Sequence, residues 1–343
     1  MAEQVNVLIY CNGYGIIINM KNKIFSLFVC LAMVLAVNGF VSCSKQDTRE
    51  TITLNGIEYM KSDNANEYFV YRAANKNITD AAISAEINSM PVISIGRADA
   101  GWLIFPFENC KSLTNVVIPN SITIIGYGAF RNCSALTNIS LSTNITEIYL
   151  HAFSGCSSLT TVDIPNSVTQ IGAGSFAGCA NLTDITLPNA ITKIPYQMFD
   201  ECSQLTTVTI PNGVTIIENK AFMNCIALES IYIPDTVTTM QRMLFGGCVK
   251  LEKLRIPNSV EIVEEYLTFD CKGMTMVYLP KSIKKIERQA FGFNDSRYVP
   301  NIHYESAWAD WENVDVKWNE GNNQYKYESN FTFNSYPANW NTY

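Results

Sequence analysis

The chain has little of what an enzyme or a metal protein needs. Among 343 residues there are two histidines, His151 and His303, far apart in sequence. No Gly-x-Ser-x-Gly elbow, phosphate-binding loop or oxyanion motif accompanies either of them, which leaves a general base without a nucleophile to serve. No Cys-x-x-Cys pair occurs, which speaks against a zinc site of the usual ligand spacing. Basic residues are also scarce: 24 Lys and Arg stand against 31 Asp and Glu. Beyond residue 42 the balance is 22 to 30, a formal charge of −8. An acidic chain without a basic stripe disfavours a phosphate backbone, so no nucleic-acid partner is expected, and no metal or cofactor either.

What the chain has in abundance is regularity. Cys110, Cys133, Cys156, Cys179, Cys202, Cys225, Cys248 and Cys271 recur every 23 residues without a slip. Three residues before most of them stands a Phe (Phe107 through Phe245); Thr268 breaks the series and Phe291 resumes it one repeat later. Three residues after stands Leu, with Met274 last. Phe, Cys and Leu at i, i+3 and i+6 suit one buried side of a short helical turn. The period then changes to two, as Val162 and Ile164 alternate with Thr161 and Asp163, which reads as a half-buried strand. A proline closes that strand in every repeat but one, where Ser142 takes its place, because proline has no N–H to give to a ladder. A second apolar step follows, such as Val168 with Ile171. Eight such units form a solenoid, since one 23-residue unit cannot bury enough apolar surface to fold alone.

This frame resembles the leucine-rich repeats of the BspA type, with Cys, Leu, Ile/Val, Ile-Pro, Val, Ile-Gly and Ala-Phe at fixed places. The likeness covers residues 110 to 293, with a degenerate lead-in at Ile83 to Gly96 and an insertion around Trp102. It implies an α/β leucine-rich-repeat solenoid of short strands and short helical turns, curved, with N- and C-terminal caps. It also implies a binding or adhesion role, since members of that family are associated with attachment to host proteins and to other cells.

The flanks divide the chain further. Residues 1–19 show no recognisable pattern, whereas Met20-Lys21-Asn22-Lys23 is a positive start to an apolar stretch from Ile24 to Val37, the pattern of a signal peptide. Its end, Phe40-Val41-Ser42-Cys43, resembles a bacterial lipoprotein box in which Cys43 is lipidated and becomes the new N-terminus. The expected organisation is therefore 1–42 as upstream residues and signal, with Met20 as the true start, and 43–77 as lipidated N-terminus, linker and N-cap. Residues 78–293 are the solenoid, and 294–343 a partial repeat, with Ile302-His303-Tyr304 as its strand, and an aromatic cap and tail. Four of the five tryptophans, Trp308, Trp311, Trp318 and Trp340, fall in that last part.

The repeat cysteines occupy one position in each rung and read as a column of packed, reduced thiols. His151 sits in a slot otherwise filled by Gly, Gln, Lys, Met or Tyr, which reads as exposed. Outward strand residues are small and polar through the middle repeats, as at Thr161, Asp163, Asp184, Thr186, Thr207 and Thr209. They turn aromatic and basic at Tyr232, Lys253, Arg255 and Tyr278, the residue types that dominate binding energy. The expectation is a non-catalytic outer-membrane lipoprotein of the cell envelope, facing outward, that binds a host or cell-surface protein or glycan through those four residues. The membrane is reached through Cys43. The rival readings are a structural envelope lipoprotein without a ligand and a glycan-processing enzyme.

Overall fold

The computed structural model describes residues 4–11, 14–21, 51–62, 66–96, 104–292, 300–317 and 331–333. The chain falls into two units, Met1–Thr51 with Asp99–Leu103, and Ile52–Ala98 with Ile104–Tyr343. The first unit holds an antiparallel hairpin of Gln4–Cys11 and Tyr14–Lys21, in register from Gln4 opposite Lys21 to Cys11 opposite Tyr14. Its sequence signal is Asn12-Gly13, which suits a two-residue hairpin loop, between two apolar runs. Residues 4–11 and 14–19, which show no pattern in the sequence, lie in these two strands. Met20 and Lys21 close the second strand, while the apolar stretch from Ile24 and Cys43 lie outside the described residues, as does Trp102.

The second unit is a β-solenoid of about ten turns. Each regular rung carries a three-residue strand and a two-residue strand, Thr161–Asp163 and Gln170–Ile171 in the rung of Cys156. Both pair in parallel with their counterparts 23 residues away, Asn138 with Thr161 and Glu147 with Gln170. Val162 and Ile164 are buried and Thr161 and Asp163 exposed, as the alternation predicts. At the corner between the strands the Pro165 carbonyl accepts the Val168 N–H at 3.0 Å. Ser142 keeps that bond, its carbonyl accepting from Ile145 at 3.1 Å, so the missing proline leaves the corner intact.

The helical turns expected on the third side do not form, which corrects the α/β reading to a nearly all-β one. Among the described residues the one helix is Trp308–Trp311. The cause lies in two left-handed residues four apart in the rung, His151 (φ 56°) and Gly155 (φ 74°) in the case before Cys156. The first of these recurs at Gly174, Gln197, Lys220, Met243, Tyr266 and Gln289, and the second at Gly178, Glu201, Asn224, Gly247 and Asp270. A positive φ ends a right-handed helix. The backbone instead donates alternately forward and inward. His151, Phe153 and Gly155 donate to the carbonyls of Ala173, Ser175 and Ala177 in the next rung, and Cys156 donates to Phe153 within its own.

Inside the coil the repeat positions form columns. Phe107, Phe130, Phe153, Phe176, Phe199, Phe222 and Phe245 stack ring on ring, with centroids 5.3 to 6.0 Å apart and planes within 15°. Spacing is imposed here by the strand ladder, and each ring is fully buried. The column stops at Thr268, which is buried, and Phe291 is buried beyond it. The eight cysteines are free and fully buried. Their thiols are more than small hydrophobes: Cys156 Sγ donates to Phe130 O at 3.1 Å, and Cys179 Sγ to Phe153 O at 3.3 Å. Each Phe carbonyl in the stack therefore takes the cysteine N–H of its own rung and the cysteine S–H of the next. Burial pushes the Cys156, Cys179 and Cys202 thiols well above their ordinary pKa.

At the N-terminal end, Thr51–Leu54, Ile57–Lys61 and Tyr68–Ala73 extend the sheet of two-residue strands, with Tyr68–Ala73 parallel to Met90–Ile95. Asn55 (φ 52°) and Gly56 (φ 73°) make the first hairpin turn, both with the positive φ that such a loop requires. The lead-in is a fuller rung than Ile83–Gly96 suggests, because Asp80–Ala82 pairs in register with Asn115–Val117. At the other end Asn301–Tyr304 adds the expected strand beside Met276–Leu279. The ladder then continues past the expected partial repeat: Asp315–Val316 pairs with Lys285–Ile286, and Phe331–Phe333 with the strand of Ile302. Trp311 is buried with its ring 5.2 Å from Tyr304 in an edge arrangement. The side chains of Trp308, Trp318 and Trp340 lie outside the described residues.

Candidate binding face

The three-residue strands present two outward columns, one running through Thr161, Asp184, Thr207 and Lys253, the other through Asp163, Thr186, Thr209 and Arg255. From Thr161 to Thr209 every outward side chain is exposed. Thr160, Thr183 and Thr206, just before the strands, are tied along the stack by Oγ1 bonds to the preceding rung's carbonyl, Thr206 to Thr183 O at 3.0 Å. Their hydroxyls reinforce the ladder and leave the strand residues proper as the ligand-facing set.

The four residues expected to form the site do fall on successive rungs, but their surroundings differ. Tyr232 is 50% exposed. Its segment, Ser230–Tyr232, forms no strand, which corrects its placement on a regular ladder. Lys253–Arg255 is a strand in register with Met276–Tyr278, so Arg255 lies directly beside Tyr278. Lys253 is exposed. Arg255 is half-buried and committed to Asp235, with Nη1 to Oδ1 at 2.9 Å and Nη2 to Oδ2 at 3.1 Å. Asn258 adds its backbone N–H to Oδ1 at 2.9 Å and its Nδ2 to Oδ2 at 3.2 Å. Burial alone would raise the Asp235 carboxyl, yet these donors more than offset it and hold its pKa below the ordinary value.

Tyr278 is buried, against the expectation that it faces solvent. Its ring lies 5.5 Å from that of His303 on the next strand, in register. Burial raises the Tyr278 phenol above its usual pKa. Arg255, Tyr278 and His303 therefore lie in register on three adjacent strands, and Tyr232, one repeat earlier in the sequence, is open to solvent where Tyr278 is covered. Sequence reading missed Asp235 and His303 as members. Asp235 was visible in principle as the acid in a post-proline position that is Asn at 120, 166, 189, 212 and 258.

His151, read as exposed, is half-buried, and so are Gln197, Lys220, Met243 and Tyr266 in the same slot. The slot tolerates varied side chains because its demand is a left-handed backbone more than a particular contact. His151 Nδ1 is buried without a hydrogen-bond partner. Burial lowers the imidazole pKa. Among the described residues no group of three or more His, Cys, Asp and Glu could hold a metal ion, and no helix is long and apolar enough to cross a membrane.

A family model described as the BspA type leucine rich repeat region matches residues 105–227 and 192–307, with six copies of the repeat. Among solved structures, a leucine-rich repeat protein from Bacteroides ovatus is similar at 23% identity, covering 83% of this chain and 71% of that one with a TM-score of 0.70. A leucine rich cell surface protein from Faecalibacterium prausnitzii is 21% identical over 78% of this chain and 98% of its own, with a TM-score of 0.44. No curated protein sequence matches.

Proposed function

We propose, from the premise that this chain belongs to the BspA-type leucine-rich repeat family, that it is a non-catalytic binding protein of the cell envelope. It engages a protein or glycan of a host or cell surface with its three-residue-strand face. One observation carries the reading: inward positions repeat the same apolar residues rung after rung, while outward positions on one side are exposed and free to vary. A fold that holds its core constant and its face variable is suited to recognition. Tyr232 and Lys253 are the accessible part of the proposed site. Arg255 and Tyr278 act behind them, Arg255 as a planar group already neutralised by Asp235. This favours a partner that stacks on Tyr232 over one that delivers a carboxylate to Arg255. The membrane attachment is a lipid on Cys43, and the protein faces outward from the outer membrane.

The test is a protein and glycan array probed with the purified protein, followed by titration of each hit against variants. Tyr232→Ala should weaken binding by roughly 1 kcal/mol or more if it is an anchor. Thr161→Ala and Thr186→Ala on the same face should leave affinity unchanged. If those two weaken binding and Tyr232→Ala does not, the ligand sits on the middle rungs and this placement fails.

A further inference from the structure

A second surface lies on a different side of each rung, where the chain leaves the two-residue strand. The residue there precedes the left-handed slot and is Tyr127, Leu150, Ala173 and Tyr196 in four consecutive rungs. Their common register is fixed by hydrogen bonds, since Gly128, His151 and Gly174 donate to the carbonyls of Leu150, Ala173 and Tyr196 at 3.0, 3.0 and 2.8 Å. In the next four rungs the same position holds Asn219, Arg242, Glu265 and Arg288, and charge takes over. Leu150 is 38% and Tyr196 41% exposed, although a corner column in a water-facing coil has no packing reason to be apolar. Tyr149 widens the row, its ring 5.0 Å from that of Tyr127. At the middle of the row, Ala173 lies between Gly172 and Gly174. A Cβ on Gly172 would come within 2.3 Å of Leu150 N, so that rung stands low between two bulky ones.

We infer that this corner row binds an extended, neutral, β-linked glycan lying along the stack. Leu150 and Tyr196, on either side of the low Ala173 rung, offer apolar surfaces for the C–H faces of sugar rings. The spacing distinguishes the occupant. Rungs repeat at about 4.8 Å, close to the advance per sugar of a β-linked chain. An extended peptide repeats its same-side residues every ~6.6 to 6.8 Å, out of step with the row. Polar partners for hydroxyls stand alongside on the two-residue strands, where Glu147 and Gln170 are in register. Glu147 already accepts the Tyr149 hydroxyl at 2.6 Å, which pushes that phenol up to about 12 and keeps it neutral. Lys193 is paired with Glu218 at 2.8 Å, so the row offers an anionic sugar a carboxylate and an occupied ammonium group.

The experiment is calorimetric titration of the full chain with cellohexaose and xylohexaose, with hexagalacturonate as the acidic comparison. Binding of at least one neutral hexamer is expected, weakened about tenfold by Tyr196→Ala. Ala173→Gln, which fills the low rung at a partly exposed position, should give a similar loss with an unchanged melting temperature. Tyr232→Ala on the strand face should have no effect, which separates this site from the one proposed above. Absence of binding by both neutral hexamers would overturn the inference. So would equal or tighter binding of hexagalacturonate, or affinity that is indifferent to both corner substitutions.

Discussion

Replacing Cys202 separates the two things its thiol does. The residue is fully buried mid-stack, and its Sγ donates to Phe176 O at 3.2 Å. That carbonyl also takes the Cys179 N–H at 3.1 Å, so removing the thiol leaves no orphaned acceptor. Cys202→Ala then loses one heavy atom of packing and a weak S–H bond, about 1 to 2 kcal/mol. Cys202→Asp instead places a carboxyl where burial already drives a thiol pKa far upward. An unpaired carboxylate held in that buried position costs about 3 to 5 kcal/mol. The control is Thr209→Asp, since Thr209 is exposed and faces Thr186, whereas Thr207 faces Asp184 and would add like-charge repulsion. The surface change should fall within about 0.5 kcal/mol of wild type. Urea denaturation followed by circular dichroism gives all three midpoints. Equal midpoints for Cys202→Asp and Thr209→Asp would refute the inward column.

Under non-reducing conditions the eight repeat cysteines should be inert to a thiol reagent while folded and add eight reactive groups on denaturation. A gain of fewer than five would mean that disulfides form in the stack. His151 has a folded-state pKa below its unfolded value because of burial, so the unfolded chain takes the proton first. Its contribution to stability is present above about pH 6.5 and is lost as pH falls through that value toward the lower folded pKa. His151→Gln, the residue of the same slot at Gln197, should flatten the melting temperature between about pH 6.5 and 5, and an unchanged slope would show that another group titrates there. Cys43→Ala should move the protein from the membrane fraction to the soluble one, because an acyl chain is its proposed attachment. Persistence in the membrane after signal cleavage would count against the lipid anchor.

The coil could be read in the residues because its columns are enforced by packing, and packing leaves a strict 23-residue signature at Phe, Cys and Leu. The turn chemistry was misread for a physical reason. An i, i+3, i+6 apolar pattern fits a helix, and also fits a chain that bends twice through left-handed residues. In these repeats His151, Gln197, Lys220 and Met243 take the left-handed slot, so the usual glycine signal is diluted. The binding face was legible only by position. Tyr278 and Arg255 fall where the two-residue alternation puts them, but burial of one and pairing of the other depend on His303 and Asp235. Those lie 25 and 20 residues away, and no local pattern links them.

The break in the phenylalanine column at Thr268 has a mechanical meaning. A stack held at one end and pulled along its axis carries load through each rung-to-rung contact in series, so it yields first where a contact is thinnest. Between Phe107 and Phe245 every contact includes a pair of stacked rings, and the next two do not. Under tension the C-terminal rungs would peel away as a separate piece and leave the long ring-stacked section standing. The coil would extend in two steps of unequal force, with the weaker step beside Arg255 and Tyr278.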